Sequence, residues 1–373
     1  MSITLDITGY TMGVDEARDT SEAINKKYIN FGRITDQMKV INGIQYDRQI
    51  PIIGRMPMQG KKLAETCDRT SSSASIVLSE KKWEPKLFGD RTEICRAQFP
   101  ALLKLFEDAA IRDDDFDISN ASMSDFILFH LGKVIQQAYM RVAYFGDSDA
   151  KKTGDGGLFN GSVDLDLVNV TDGLFKQWFA EIPTSADNYV RIDRNYQMVD
   201  ENGQNTETFS LTSQFNLEDD VAYNTFVSLY EKLPDEADMA ASEGLQLQFH
   251  VTKALFNNWI TYIESKSLAS TVERLENGSS RYVFRGIPIV LHRDWSFYIK
   301  SLQTDVLNGQ NVSYAPHRAY LGFKENNCLG TYNVNAIDSI DAFYDKTLKK
   351  LIIDYDARID FKHLDPELAA FAY

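Results

Sequence analysis

The sequence predicts an α+β fold, and three observations carry the prediction. One long stretch repeats apolar residues at helical spacing, and several shorter stretches read as strands. The two kinds of segment follow one another without the regular alternation of a doubly wound parallel sheet. The 373 residues, 43% of them apolar, suffice for one large core or two medium ones. Charged residues at 25% and aromatics at 12% are the proportions of an ordinary packed protein.

Residues 1–70 mix short apolar patches with Gly, Asn and Pro, as in "INGIQYDRQIPIIGRMPMQG". Such a segment buries little by itself and reads as an arm laid along another surface, with one helical piece at Val14–Tyr28. In "SSSASIVLSEKKWEPKLFGDRTEICRAQF", residues 71–99, Ile76–Leu78 reads as one strand, and Leu87, Phe88 and Ile94 mark a second. The expectation is a long projecting β-hairpin, which needs a neighbour to rest on. A helix from Pro100 to Ile111 follows.

The strongest helix is "SMSDFILFHLGKVIQQAYMRVAYFG". Ile127, Leu128, Leu131, Val134, Ile135, Ala138 and Val142 recur at three- and four-residue spacing, giving one apolar face. Ser122 with Asp125 forms a capping-box pattern, and Gly146 is the expected stop. Helices are predicted next in "DGLFKQWFAEI", "EDDVAYNTFVSLYEKL" and "TKALFNNWITYIES", and a strand in "GLQLQFHV". "RYVFRGIPIVLHRD" reads as two strand pieces around Gly286, with Pro288 suggesting an edge. "APHRAYLGFKENNCLG" and "AFYDKTLKKLIIDYDARIDF" complete a β-rich end. The chain closes on Leu368-Ala-Ala-Phe-Ala-Tyr373, an apolar tail where fraying is easiest. Either it folds back into its own core or another chain covers it.

Most catalytic chemistries find no footing. The glycine-rich "GDSDAKKTGDGGLFNGS" places Lys151, Lys152 and Thr153 before Gly154, the reverse of a phosphate loop. As a calcium loop it offers Asp147 and Asp149, but Lys152 where Gly is needed and Leu158 where Glu is needed. His130, His250, His292, His317 and His363 show no metal-ligand spacing, and no G-x-S-x-G occurs. "RDDDFD" gathers Asp113, Asp114, Asp115 and Asp117; it reads as a solvated loop, with a carboxylate-based hydrolase as the sharper alternative. Lys81, Lys82 and Lys86 lie among Glu80 and Glu84 and read as a solvated face. Cys67, Cys95 and Cys328 form no C-x-x-C, which suggests reduced thiols. A net charge of −15 works against tight nucleic-acid binding. The first residues carry no secretory-signal pattern, and no apolar run is long enough to span a bilayer.

This order of arm, hairpin, long helix, α+β domain and β-rich return resembles the major capsid proteins of tailed double-stranded-DNA bacteriophages. Their fold is named after a Hong Kong coliphage. "RYVFRGIPIVLHRDWS" is similar to an A-domain strand of that family, and "LIIDYDARIDFKHLDPELAAFAY" to its final strands. The texture is similar to capsid proteins of the crAss-like group. The resemblance implies an N-terminal arm (1–70), an E-loop hairpin (71–98), a P-domain with spine helix (99–185), an A-domain (186–324) and a return to the P-domain (325–373). No acidic heptad segment precedes the arm, so a fused scaffold is not expected. The resemblance further implies hexamers and pentamers assembling into an icosahedral head, with no catalytic, cofactor-binding or metal residues. The implied partners are scaffold, portal and decoration proteins, and DNA enclosed without sequence-specific binding. No membrane is implied; the location is the virion, after assembly in the host bacterial cytoplasm. An encapsulin-type nanocompartment shell is the nearest alternative.

Overall fold

The computed structural model describes residues 32–44, 49–53, 78–95, 123–183, 186–195, 198–199, 205–207, 214–266, 272–274, 280–307, 310–332, 339–345, 347–348 and 350–373. The expected helices at 14–28 and 100–111 and the capping residue Ser122 lie outside them. The chain begins with α1 (Gly32–Gln37), β1 (Lys39–Ile41), β2 (Gln49–Ile53), β3 (Leu78–Lys82) and β4 (Lys86–Cys95). Helices α2 (Met123–Phe145) and α3 (Leu174–Glu181) follow, then the short strands β5 (Tyr189–Val190), β6 (Met198–Val199) and β7 (Asn205–Glu207). Next come α4 (Val221–Glu231), α5 (Asp235–Ser242), β8 (Leu247–Thr252), α6 (Lys253–Lys266), β9 (Val272–Arg274), β10 (Ser280–Phe284) and β11 (Ile287–His292). The last part holds α7 (Arg293–Leu302), β12 (Thr304–Leu307), β13 (Gln310–Ser313), β14 (Ala319–Phe323), β15 (Asn327–Thr331), β16 (Ser339–Asp345), β17 (Lys350–His363) and β18 (Ala369–Ala372).

Two mixed sheets organise this α+β fold. The first has the order β5-β18-β14-β8-β11-β10-β9, with β5–β18 and β8–β11 parallel. Its strands β14 and β18 are buried on both faces, because consecutive side chains enter different cores. Ala319 and Leu321 of β14, with Phe249 and Val251 of β8, meet Phe226 of α4 and Trp259 of α6. Tyr320, between them, turns to the other side, where α2, α3 and α7 contribute Tyr144, Trp178 and Trp295. Trp178 stacks on Tyr320 at 4.6 Å. The apolar tail is therefore an interior strand: β18 lies between β14 and β5, its Ala369 and Phe371 in one core and Ala370 and Ala372 in the other. The chain covers its own tail.

The second sheet is built on β17. Strand β4 runs along one edge of it from Lys350↔Cys95 to Ile359↔Lys86. Strands β16 and β15 lie end to end on the other edge, and β1 extends β15 in parallel. From Ile353 to Phe361 the odd-numbered residues are buried, while Asp354 is exposed and Asp356, Arg358 and Lys362 are half-buried. This alternation, interrupted at the buried Ile352 and Asp360, marks a sheet with one core face.

The hairpin expectation needs correction. Strand β3 pairs with β2, from Gln49↔Lys82 to Ile53↔Leu78, and β4 pairs with β17. The two stretches read as hairpin partners are separated by Trp83-Glu84-Pro85. Trp83, 1% exposed, packs with Ile44 and Cys328, so the chain passes through a core there and has no turn to make. Pro288 is corrected too: β11 is an interior strand. Pro288 faces only Val283 of β10, and pairing with β8 starts one residue later at Ile289, so its missing N–H breaks no bond to β8. The Arg285-Gly286 turn beside it has φ of 50° and 79°, the left-handed pair of a two-residue hairpin.

Helix α2 spans the predicted residues but is not one-sided throughout. Val134, placed on the apolar face by its spacing, is 56% exposed. In contrast Ala138, Tyr139, Met140, Val142, Ala143, Tyr144 and Phe145 are all buried and Arg141 is half-buried, so the last two turns are enclosed on all sides but that of Arg141. The helix ends where its Gly146 crosses Gly173, whose N–H donates to the Gly146 carbonyl at 2.8 Å. A Cβ on Gly173 would come within 2.7 Å of the Gly146 nitrogen, so both glycines are required by close approach.

Candidate functional site

The base of the β2–β3 hairpin is where the described structure concentrates charge in a buried setting. Lys81 of β3 reaches the end of α3 and the end of β17. Its Nζ donates to Glu181 Oε1 at 3.2 Å and to the carbonyl oxygen of His363. Glu181 Oε2 lies 3.4 Å from His363 Nε2. Burial pushes the Glu181 carboxyl up to about 7 against the opposing pull of Lys81, and burial, aided by Lys81, holds the His363 imidazole well below its ordinary value. One residue past Trp83, the Glu84 N–H donates to Asp360 Oδ2 at 2.8 Å, while Thr171 donates to Asp360 Oδ1 at 2.9 Å. Lys362 lies 3.2 Å from the same carboxylate. Gly330 of β15 makes room for this passage: a Cβ there would meet the Trp83 ring at 2.6 Å. The hairpin is thus clamped at its base.

These contacts divide the lysine cluster that reads as a solvated face. Lys86 fits that reading, exposed and 3.8 Å from exposed Glu84. Lys81 does not, since it joins three elements through groups 100 and 282 residues away. No local pattern in the sequence signals that role.

The glycine-rich loop after α2 is closed by a lysine. Lys176 of α3 contacts Asp147 at 2.6 Å, Asp172 at 2.8 Å and Asp149 at 3.1 Å. Burial alone would lower its ammonium; hydrogen bonds to Asp147, Asp172 and Asp149 outweigh that and hold it above its ordinary value. The two carboxylates that a calcium loop would offer, Asp147 and Asp149, are both engaged by this ammonium. Among the described residues no His, Cys, Asp and Glu cluster is arranged to hold a metal ion. The Asp113, Asp114, Asp115 and Asp117 group lies outside the described residues, as does Cys67. Cys328 is a buried free thiol, and burial pushes it up to about 11.

The histidines that lack sequence spacing are brought together by the sheet. His250 Nδ1 and His292 Nε2 are 2.8 Å apart, on the adjacent parallel strands β8 and β11, and both rings are buried. His317, also buried, meets the Gln214 carbonyl at 2.6 Å. The side chain of His130 is outside the described set.

The outside of the molecule carries large apolar side chains far apart in sequence. Phe297 of α7 is 66% exposed, Leu87 of β4 64% and Val306 of β12 63%. Among the described residues no helix is long and apolar enough to cross a membrane.

No protein-family model and no curated protein sequence matches the chain. Solved structures do. A chain of the satellite phage P4 procapsid including size determination (Sid) protein aligns with a TM-score of 0.54 at 12% identity, over 95% of this chain and 90% of that one. A chain of Gordonia phage Cozz aligns with a TM-score of 0.45 at 12% identity, over 91% and 85%. The holo-SrpI encapsulin complex from Synechococcus elongatus gives 0.42 at 9%, over 92% and 87%. This chain, an α+β protein with one long helix and two mixed sheets, shares its fold with the P4 procapsid chain.

Proposed function

We propose that this chain is the major capsid protein of a tailed double-stranded-DNA bacteriophage. It assembles with copies of itself, as hexamers and pentamers, into an icosahedral head. The observation that supports this most is the fold shared with the P4 procapsid chain over 95% of the sequence. The anchored base of the β2–β3 hairpin and the exposed Leu87, Phe297 and Val306 suit a subunit whose extensions and apolar residues are covered by its neighbours.

On this reading the E-loop is the β2–β3 hairpin, which starts earlier in the chain than residues 71–98. Helix α2 is the spine, β17 with its neighbours the P-domain, and the seven-stranded sheet the A-domain. A net charge of −15 suits a wall that encloses DNA without gripping it. Scaffold, portal and decoration proteins are its partners, it assembles in the bacterial cytoplasm and resides in the virion, and it performs no catalysis.

Negative-stain electron microscopy with light scattering on the purified chain, with and without a crowding agent, tests the proposal. Closed shells, tubes or six-fold capsomers are expected. A monomer or dimer that persists at high concentration, and that no scaffold protein converts into shells, overturns it.

A further inference from the structure

His250 and His292 occupy a closed aromatic box between the seven-stranded sheet and the helices on one of its faces. The His292 ring stacks on Trp295 of α7 at 4.1 Å and meets the edge of Tyr144 from the last turn of α2 at 5.4 Å. The His250 ring lies 5.7 Å from Tyr320 of β14. His250, His292, Trp295, Tyr144 and Tyr320 are each at most 2% exposed.

The bridge between the two imidazoles uses one N–H and one lone pair. A further proton on His250 has two places to go. On Nδ1 it would face His292 Nε2 across 2.8 Å and leave that contact without a lone pair on the His250 side. On Nε2 it would point into packing, where no hydrogen-bond acceptor meets it among the described residues. Either way a cation is created in a buried pocket, at the cost that attends an uncompensated buried charge. The titratable groups around the box are the phenols of Tyr144 and Tyr320, the Asp294 carboxyl near Tyr144, the Glu181 carboxyl near Tyr320, and His363, whose ring is 6.1 Å from Tyr320. Burial is the influence that pushes His250 down to about 4.

We propose that the His250–His292 pair is an acid-sensitive joint between the seven-stranded sheet and the layer formed by α2 and α7: it is closed when the pair shares a single N–H and opens when His250 takes up a further proton. The location gives the joint its reach. His292 is the last residue of β11 and leads into α7, and Tyr144 lies in the last turn of α2, so a change at the pair is felt by both helices at once. The inference concerns the single subunit and does not depend on shell formation.

The test follows tryptophan fluorescence, near-ultraviolet and far-ultraviolet circular dichroism of the full chain from pH 7.5 downward. Wild type is expected to lose its tertiary tryptophan signal while keeping its secondary structure, between pH 6.5 and about 4. His250→Gln, which can hydrogen-bond but cannot titrate, is expected to move that midpoint about one pH unit lower. An unmoved midpoint in His250→Gln overturns the proposal. Should that variant not fold, histidine-labelled nuclear magnetic resonance of wild type decides: an imidazole of His250 that titrates at its ordinary value with no change around Trp295 also overturns it.

Discussion

The seven-stranded sheet and the sheet built on β17 differ in the strands they contain: β14 and β18 carry no charged residue, whereas β17 and β4 carry several. In the first, β14 and β18 are buried at every position, because helices lie on both faces. In the second, β17 buries alternate residues and turns Asp354, Asp356 and Arg358 outward. A two-sided sheet resists change anywhere along its strands. A one-sided sheet has a face to spare, and here it also receives segments from far away in the chain: β4, β1 and the base of the β2–β3 hairpin. The first sheet holds the fold, and the second presents surface.

The comparison breaks most visibly at the tail. Deleting residues 369–373 removes β18 from between β14 and β5 and opens both cores, so the chain should fail to fold, as read by soluble yield and circular dichroism. A truncated chain with unchanged amide-exchange protection in β14 would show that the strand is peripheral. Phe249→Ala, in the buried β8, should cost about 3–5 kcal/mol in denaturant unfolding.

Acid sharpens the contrast, since His250 and His317 are buried near the two-sided sheet. Burial lowers each from 6.5 to about 4. The unfolded chain binds those protons first, so the stability is fully present above pH 6.5 and is lost as pH falls through 4, by about 3 kcal/mol for each group. Denaturant midpoints between pH 7.5 and 4.5 measure it; a flat profile would mean that the rings are hydrated.

Smaller effects belong to the other sheet. Lys81→Met removes the tie from the hairpin base to Glu181 and should cost about 1 kcal/mol, seen as faster amide exchange in β2 and β3 with little change in β8. Asp354→Ala on the exposed face should stay within about 0.5 kcal/mol of wild type. A larger loss there would give the second sheet a hidden structural duty.

Much of the element order is legible in the sequence. Helix α2 follows from its apolar spacing, and the turn between β10 and β11 follows from Gly286. Strand pairing is not legible where the partners are distant. Ile76–Leu78 and Leu87–Ile94 look like two arms of one hairpin because they are neighbours, yet Trp83 diverts the chain through a core between them. The burial of helix faces is only half legible: Val134 has the right spacing and the wrong surroundings, while Met140 is off the stripe and buried. The Lys81, Glu181 and His363 contacts leave no trace in sequence, since each partner belongs to a different element.

By itself, then, the sequence determined the helices α2, α3, α4 and α6 and the strands β8, β10 and β11, because periodicity, capping and turn residues act within a few positions of one another; α5, α7, β2, β12 and β13 it left unmarked. It also determined the acidic balance and the lack of a recognisable catalytic motif. The tertiary structure alone decided that the apolar tail is an inner strand, that β3 pairs with residues 49–53, and that two histidines 42 positions apart share a proton site. The physical reason is common to all three: a sheet joins segments by backbone hydrogen bonds that any residue can make, so which strands become neighbours is settled by the packing of both faces and not by a local signal.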